Sequence, residues 1–281
     1  MTTLSIFTSM TNPEIRKDPW KEALNCYEDF ADEVIITGQD WPEEFEWDLI
    51  GKVFHEGLEK SSMEWAIRMD LDYFFHEKDK DKLFYFLKKY DDYPALAFPQ
   101  YQIFTRDRYQ IKTRICLAFN KKKFPEIKLN GGGDLTLATL NGKLIEPKMV
   151  PNLSIPIYQY ESSFRTKEII SEDRARFARA WYRYFNNYGS RGGETKKEAF
   201  DAWFSMIEER YKKHTFQLND NDHPIYIKDR LLNVTKEQFS YDAFGLKNSI
   251  KRPARNFVKG YREKYLNPLF ISLGQISKSK Y

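Results

Sequence analysis

Residues 63–72 carry the sequence MEWAIRMDLD, and this stretch decides how the first half of the chain is interpreted. Trp65, Ile67 and Met69 alternate with other residues, which is typical of a β-strand. Asp70 and Asp72 come at the end of this strand. Because residues i and i+2 of an extended chain point the same way, we expect both carboxylates to converge just beyond the carboxyl end of the strand.

Two β-α units precede this strand in the pattern of apolar residues. Residues 4–8 and 34–37 are short apolar runs of the kind that form buried strands. Helical spacing of apolar residues follows them over 20–31 and 47–58, and a third helical face covers 83–90. The order β-α-β-α-β-α predicts an α/β fold with a mostly parallel sheet and helices on its faces.

The remaining patterns suggest where the chain divides. Asp18-Pro19 is predicted to supply the N-cap and the first position of the first long helix. Residues 95–104 and 109–119 are predicted to be longer strands with no helix between them, and the later chain is predicted to be helical. We therefore expect an α/β domain over 1–165 and a helical extension with a basic tail over 166–281.

Composition excludes several classes of protein. With 16% aromatic residues and a net charge of +4 over 281 residues, the chain is neither disordered as a whole nor a polyelectrolyte. Two cysteines, Cys26 and Cys116, make neither a disulfide framework nor a four-ligand zinc site. The longest charge-free apolar stretches, 93–105 and 266–277, are shorter than the roughly 20 residues that cross a bilayer. With no signal peptide recognised, we expect a cytoplasmic protein.

The pair Asp70 and Asp72 suggests a metal site. Two carboxylates held together repel each other, and a divalent cation relieves the repulsion. Oxygen ligands suit Mg²⁺ or Mn²⁺, with a substrate diphosphate completing the shell. The alternative is a solvated strand-to-helix turn with Asp72 as a cap. The position after the third strand favours the metal, because open α/β sheets bind ligands at the carboxyl ends of their strands.

Several short segments also have the order and spacing of a known family. They are residues 4–10, 34–40, 55–61, 70–72 and 132–137. Together they resemble the GT-A fold glycosyltransferases, and most of all the glycosyltransferase family 2 type, over more than half of the chain. The resemblance implies a Rossmann-like, mostly parallel mixed sheet flanked by helices. It also implies Mn²⁺- or Mg²⁺-dependent transfer of a sugar from a UDP- or GDP-sugar to a hydroxyl of a glycan or glycan-lipid, with inversion at the sugar carbon.

The resemblance implies a role for each matched residue. Asp72 would ligate the metal, and Asp70 would contact the ribose and the metal's water shell. Gln159 would be a weak substitute for the third metal ligand, which is often a histidine in the family. Asp134 would be the general base; the alternative is that it caps a helix over 135–140. The residues implied in nucleotide binding are Thr8, Ser9, Thr37, Gly38, Gln39, Asp40, Arg68 and Asp70.

The sequence departs from the family pattern in places. Gly133 replaces the first acid of the usual Glu-Asp pair at the base site. Phe54-His55 stands where an Arg-Asn pair is common, so a phosphate or base contact is lost or is supplied by Lys52 or Arg68. The Gln-x-x-Arg-Trp motif is absent, which argues against a processive polysaccharide synthase.

Two basic features lie in the second half. One predicted helix has arginines interleaved with aromatic residues, at positions 174, 176, 179 and 183. The pattern predicts a solvated helix face; the alternative is that one of these arginines reaches the diphosphate. Residues 246–281 hold nine Lys/Arg and one acid, Glu263. This tail has three interpretations: a solvated helix, peripheral attachment to the inner membrane surface, or nucleic-acid binding. No nucleic-acid module is visible, so we do not expect a nucleic-acid partner.

Two other functions remain open. A nucleotidyltransferase shares this sheet and metal chemistry but normally has a glycine-rich basic loop after its first strand, and residues 8–17 contain no glycine. The other alternative is a non-catalytic binding protein with a degenerate site, anchored by its basic tail.

Overall fold

The structure, a computed structural model, describes residues 2–112, 114–132, 136–250 and 266–276. Within these residues the strands form three sheets. The strands are β1 (Leu4–Ser9), β2 (Glu33–Thr37), β3 (Trp65–Arg68), β4 (Tyr73–Phe74), β5 (Ala95–Phe98), β6 (Gln100–Thr105), β7 (Arg108–Ile111), β8 (Ile115–Asn120), β9 (Lys128–Asn130), β10 (Leu137–Leu140), β11 (Lys143–Leu144), β12 (Ile157–Gln159) and β13 (Thr215–Gln217).

Helices flank the sheets and make up most of the second half. They are α1 (Pro13–Arg16), α2 (Trp20–Phe30), α3 (Leu49–Lys60), α4 (Lys80–Lys89), α5 (Lys167–Phe185), α6 (Lys196–His214), α7 (Ile225–Leu232), α8 (Phe239–Asp242), α9 (Leu246–Ser249) and α10 (Asn267–Ser272). Within the described parts of the chain, no helix combines the length and the apolarity needed to cross a membrane.

The first sheet has the strand order β2-β1-β3-β8-β5. β1 pairs in parallel with β2 and β3, so that Ile6 lies opposite both Val34 and Ile67. β8 runs antiparallel to its neighbours β3 and β5. The parallel strands are joined by α2 and α3, which are the crossovers that parallel pairing requires. This mixed α/β architecture flanked by helices confirms the predicted α/β fold class, but the first sheet is not mostly parallel, because two of its described strand pairs are parallel and two are antiparallel.

Alternate residues of the central strands face different helices. Ile6 and Ile67 belong to a core that includes residues of α2 and α4. Their neighbours Phe7 and Ala66 belong to a second core with residues of α3. Because both faces of the sheet are covered, these strands are apolar throughout, and this is why short continuous apolar runs identified them in the sequence.

The second sheet has the order β13-β7-β6-β12-β4. The prediction of continuous strands over 95–104 and 109–119 is wrong, because each stretch is divided between two sheets. β5 and β8 lie in the first sheet, and β6 and β7 lie in the second. Pro99 separates β5 from β6 and has no N–H to donate to a ladder, which favours a break at that position.

A small third sheet, β11-β10-β9, is formed by strands that lie before and after the glycine-rich segment. The alternative of a helix over 135–140 is wrong, since Leu137–Leu140 is a strand paired with both β9 and β11. Asn141 and Gly142 connect β10 to β11 with positive φ angles of 52° and 75°. Two left-handed residues are what a tight type I′ hairpin turn requires.

The helices of the second half pack on each other and on the second sheet. Ala175 and Ala178 of α5 meet Ala199 of α6 in a small apolar cluster. β13 then returns to the second sheet, where Phe216 pairs with Tyr109. The domain boundary at residue 165 stays a prediction. Most of the basic tail, residues 251–265 and 277–281, lies outside the described residues, so its three interpretations also stay predictions.

Candidate functional site

A cavity of about 300 Å³ lies at the carboxyl ends of β1 and β3. This volume is at the lower end of the range for small-molecule sites. One wall comes from the segment that follows β1, another from the β3–β4 connection, and a third from β12, α5 and α6. The polar lining residues are Ser9, Thr11, Arg16, Asp18, Arg68, Asp70, Asp72, Gln159, Glu161, Asp173, Arg174, Ser190 and Arg191.

Hydrogen bonds to backbone carbonyls fix the connection that carries Asp70 and Asp72. The Tyr27 hydroxyl donates to the carbonyl oxygens of Asp70 and Tyr73, at 2.5 and 3.0 Å. The Tyr160 N–H donates to the Asp72 carbonyl at 2.9 Å. β12 also pairs with β4, so that Gln159 lies beside Tyr73. The two acidic side chains are therefore presented by a rigid turn rather than by a free loop.

Asp70 is paired with Arg68, the last residue of β3. Nη2 of Arg68 donates to both carboxylate oxygens of Asp70, at 3.3 and 3.1 Å. The Arg68 side chain is only 3% exposed, and its guanidinium lies 4.1 Å from the centre of the Phe54 ring. Both residues line the cavity, and the charge of Arg68 is already matched by Asp70. Their predicted roles in nucleotide binding stay predictions.

Asp72 has a different environment. It is 8% exposed, and its carboxylate makes no hydrogen bond and no ion pair with any residue in the described ranges. Burial, followed by repulsion from Asp70, Asp18 and Glu161, raises its pKa well above the ordinary value, with Arg165 opposing the shift. A buried carboxylate of this kind is costly unless a cation or a proton joins it.

Glu161 lies on the helical side of the same cavity and is fully engaged. It accepts a hydrogen bond from Arg174 of α5 and another from Gln102, the latter at 3.0 Å. Burial acts to raise the pKa of Glu161, but attraction to Arg174 and Lys112 outweighs it and lowers the pKa to about 2. The arginine at position 174 therefore reaches the cavity, although its partner is a protein carboxylate.

The nucleotide-binding residues predicted from the sequence are only partly brought together. Ser9 lines the cavity with Arg68 and Asp70. Thr37 is buried, and its hydroxyl donates towards the carbonyls of Thr8 and Val53, at 3.2 and 3.1 Å. Thr8, Thr37, Gly38, Gln39 and Asp40 are not among the described residues that line the cavity, and Gln39 and Asp40 are exposed. Their roles stay predictions.

The structure nevertheless explains why positions 38 and 132 are glycines. Gly38 has a φ angle of +67°, and a Cβ there would lie 2.8 Å from the Ser9 hydroxyl. A Cβ at Gly132 would lie 2.4 Å from the Trp47 carbonyl oxygen, and Trp47 lines the cavity. Asp134, the predicted general base, lies outside the described residues. Its role stays a prediction.

The donor atoms of this corner fit a metal ion that is held jointly with a diphosphate. Within the described residues no group of three or more His, Cys, Asp or Glu could hold a metal. Gln159, the predicted third ligand, accepts a hydrogen bond on its amide oxygen from Lys112 at 3.2 Å, so that oxygen is engaged. Asp70 and Asp72 remain, and Mg²⁺ commonly uses one or two carboxylates together with substrate phosphates.

The sequence interpretation missed the aromatic wall formed by residues 41–47, which read WPEEFEW. Trp41 and Trp47 line the cavity, and Trp47 packs edge-on against Trp181 of α5, with ring centres 5.1 Å apart. Arginines of α5 hold this segment by hydrogen bonds to Glu44 and to the backbone carbonyls of residues 42, 43 and 45. These arginines are Arg176, Arg179 and Arg183. The alternation of arginine with aromatic residues on α5 was therefore the available signal, and it marks a packed face.

Comparisons with known proteins add little to this geometry. No family model matches the chain, and no curated protein matches it. Among solved structures, it is similar to "Crystal structure of S. aureus TarS 1-349", with 10% identity over 88% of this chain and 91% of that chain, at a TM-score of 0.33. It is also similar to "Crystal structure of S. aureus TarS", with 10% identity over 88% and 55% of the two chains, at a TM-score of 0.29. Likenesses this low carry no argument about function.

Proposed function

We propose that this protein is a metal-dependent glycosyltransferase that moves a sugar from a nucleoside diphosphate sugar to a hydroxyl of a glycan or glycan-lipid. The observation that carries the proposal is the unpaired, buried carboxylate of Asp72 beside Asp70. Both line a cavity at the carboxyl ends of parallel strands. This is where α/β sheets bind nucleotides, and a cation bound at Asp70 and Asp72 would relieve the repulsion between their carboxylates.

The charges around the cavity support a cation in addition to the nucleotide. Four arginines and five carboxylates line it. Arg68 and Arg174 are hydrogen-bonded to carboxylates of the protein. Arg165, which lies behind Asp18 and Asp173, balances the remaining carboxylate among the described residues, so the charge of an entering diphosphate would itself be uncompensated. Mn²⁺ or Mg²⁺ would compensate both the diphosphate and the acidic pair.

In the proposed reaction the acceptor hydroxyl oxygen attacks the sugar carbon as the bond from that carbon to the diphosphate oxygen breaks. Asp134 takes the hydroxyl proton, and the nucleoside diphosphate leaves with the bonding electron pair. Asp72 and Asp70 would hold the metal, which when bound would supply Lewis-acid stabilisation of the departing diphosphate. Arg68 orients Asp70 through its two hydrogen bonds. Attack opposite the leaving group inverts the sugar carbon.

The proposal includes a peripheral contact with anionic lipid through the tail. The net charge of residues 246–281, with nine basic residues and one acid, would favour such a surface. This contact would bring the cavity to a lipid-linked acceptor. Binding to vesicles with and without anionic lipid checks it separately from catalysis.

Calorimetry tests the central proposal. UDP-glucose, UDP-N-acetylglucosamine and GDP-mannose are titrated with and without Mn²⁺ into the full chain and into Asp72→Ala. We expect Mn²⁺-dependent binding of at least one donor, lost in Asp72→Ala but kept in the control Asp81→Ala, an exposed aspartate of α4. Donor hydrolysis should fall at least 100-fold in the same variant. Unchanged turnover in Asp72→Ala would overturn the mechanism.

The other outcomes identify the alternatives. Absence of heat with every donor would favour a non-catalytic binding protein. Pyrophosphate release from a nucleoside triphosphate and a sugar phosphate would favour a nucleotidyltransferase. Donor binding that does not depend on Mn²⁺ would remove the metal from the proposal.

A further inference from the structure

The segment after β1 has an unusual backbone that positions Arg16. α1 ends at Arg16, and the residues on either side of the helix, Asn12 and Lys17, have left-handed φ angles of 50° and 58°. Such a conformation costs a non-glycine residue free energy and persists only where the surroundings impose it. Asn12 donates to the Trp41 carbonyl at 3.2 Å, and Arg230 donates to the Lys17 carbonyl at 3.0 Å.

Arg16 belongs to a buried cluster of two arginines and two aspartates. Arg165, only 2% exposed, pairs with Asp18 on one side and with Asp173 of α5 on the other, the latter at 2.9 Å. Arg16 approaches the same two carboxylates from the cavity, with Nε 3.1 Å from Asp18 and Nη1 3.5 Å from Asp173. The expectation that Asp18 is the N-cap and Pro19 the first helical residue of α2 is wrong, because Pro19 is the N-cap and no side chain caps this helix.

The balance of charges leaves Arg16 available to a ligand. Two guanidinium groups and two carboxylates make the cluster neutral. Arg165 and Arg16 therefore share the compensation of the two carboxylates. The Arg16 side chain is 19% exposed, and it lines the cavity together with Asp70 and Asp72. Within the described residues its contacts with Asp18 and Asp173 are ion pairs without a side-chain hydrogen bond, so its N–H groups can donate to a ligand.

The two cations that the sequence suggested for a phosphate contact are less well placed. Lys52 is 70% exposed, pairs with Asp48 at 2.7 Å, and is not among the described residues that line the cavity. Arg68 lines the cavity, but it donates to both oxygens of Asp70 and stacks on Phe54.

We propose that Arg16 binds a phosphate oxygen of the nucleoside diphosphate, a role that rests on the proposed function. Ion pairs with Asp18 and Asp173 keep the Arg16 guanidinium at the cavity in the absence of a ligand. Arginine also presents paired N–H groups that match phosphate oxygens. The contact would supply the phosphate recognition that Phe54-His55 lacks in this chain.

The experiment compares ligands with and without phosphates. The nucleoside, titrated by saturation-transfer NMR, and the nucleoside diphosphate with Mn²⁺, titrated by calorimetry, are measured for the wild type and for Arg16→Gln, Arg16→Lys and the control Lys52→Gln. Arg16→Gln should weaken diphosphate binding about 10- to 100-fold, the size expected for a charge-assisted hydrogen bond, and leave the nucleoside unchanged. Arg16→Lys should restore part of the loss, and Lys52→Gln should change neither affinity.

Each other result is decisive. An unchanged diphosphate affinity in Arg16→Gln overturns the role of Arg16. Equal weakening of nucleoside and diphosphate shows a structural role only and also overturns it. If Arg16→Gln does not fold, Arg16→Lys decides, since wild-type diphosphate affinity with a single ammonium would contradict recognition by a guanidinium. A wild type that binds no nucleotide at all removes the proposed function itself, which is a distinct failure.

Discussion

The two sides of the cavity differ in whether a carboxylate is paired within the protein. On the sheet side, Asp72 has no partner for its carboxylate within the described chain, and burial, followed by repulsion from acidic neighbours, raises its pKa. On the helical side, Glu161 is held by Arg174 and attracted to Lys112, and its pKa is lowered. The backbones of the two residues are nearly adjacent, because Tyr160, just before Glu161, donates its N–H to the Asp72 carbonyl.

This difference distinguishes a structural carboxylate from one suited to a ligand. Removing a paired, buried charge leaves its partner uncompensated and costs stability. Removing an unpaired one relieves repulsion. The protein itself therefore compensates the carboxylate of Glu161, whereas the carboxylate of Asp72 is left without a partner in the described chain, and a cation would stabilise it. The predictions that follow test this contrast, beginning with the largest expected effect.

Asp134→Asn tests whether Asp134 is the general base of the proposed sugar transfer. An asparagine cannot take the acceptor proton, so transfer should fall about 10²- to 10⁴-fold, the usual contribution of a general base. Donor affinity should stay within twofold of the wild type. Transfer rates and calorimetric donor affinity are measured on the same preparation. Loss of donor binding would instead assign Asp134 to nucleotide or metal contact.

The matched amide substitutions Glu161→Gln and Asp72→Asn test the contrast directly through stability. Glu161→Gln should lower the free energy of unfolding by about 1–3 kcal/mol, because Arg174 loses a charged partner. Asp72→Asn should leave this free energy unchanged or raise it, since repulsion from Asp70 and Asp18 is removed. Chemical denaturation at pH 7 without metal gives both values. A larger loss for Asp72→Asn would contradict the assignment of the two sides.

The pH dependence of stability tests a third buried group, next to the helical wall. His223 is 1% exposed; its Nε2 donates to the Arg106 carbonyl at 2.8 Å, and its Nδ1 accepts from the Tyr160 hydroxyl at 2.7 Å. Burial, opposed by the hydrogen bond to Arg106, lowers its pKa from 6.5 to about 4. The unfolded chain therefore binds a proton more readily, so stability falls as the pH drops from 6.5 towards 4, by about 3 kcal/mol at most.

The acid limb is the part of the stability curve that falls between pH 6.5 and 4. His223→Gln should flatten this acid limb, because glutamine does not titrate. The exposed His214→Gln is the control and should leave the limb unchanged. Urea midpoints between pH 4 and 7 provide the measurement. A limb of equal slope in His223→Gln would show that other groups govern acid sensitivity.

Much of the first sheet was predictable because its signals are local. Apolar runs covered on both faces marked β1, β2 and β3, and helical spacing marked α2, α3 and α4. The break at Pro99 could have been read from the missing N–H, but the assignment of β5 and β6 to different sheets depends on partners distant in the sequence.

The sequence by itself determined the β-α-β-α-β order and the presence of two carboxylates after the third strand, since periodicity and i, i+2 spacing are properties of neighbouring residues. Only the tertiary structure decided which charges meet. Arg165 pairs with Asp18 across 147 positions, and Arg16 shares both aspartates of that cluster. The physical reason is that the pairing of a buried charge depends on its distance in space from the opposite charge, and only the packing of α5 against the segment after β1 sets that distance.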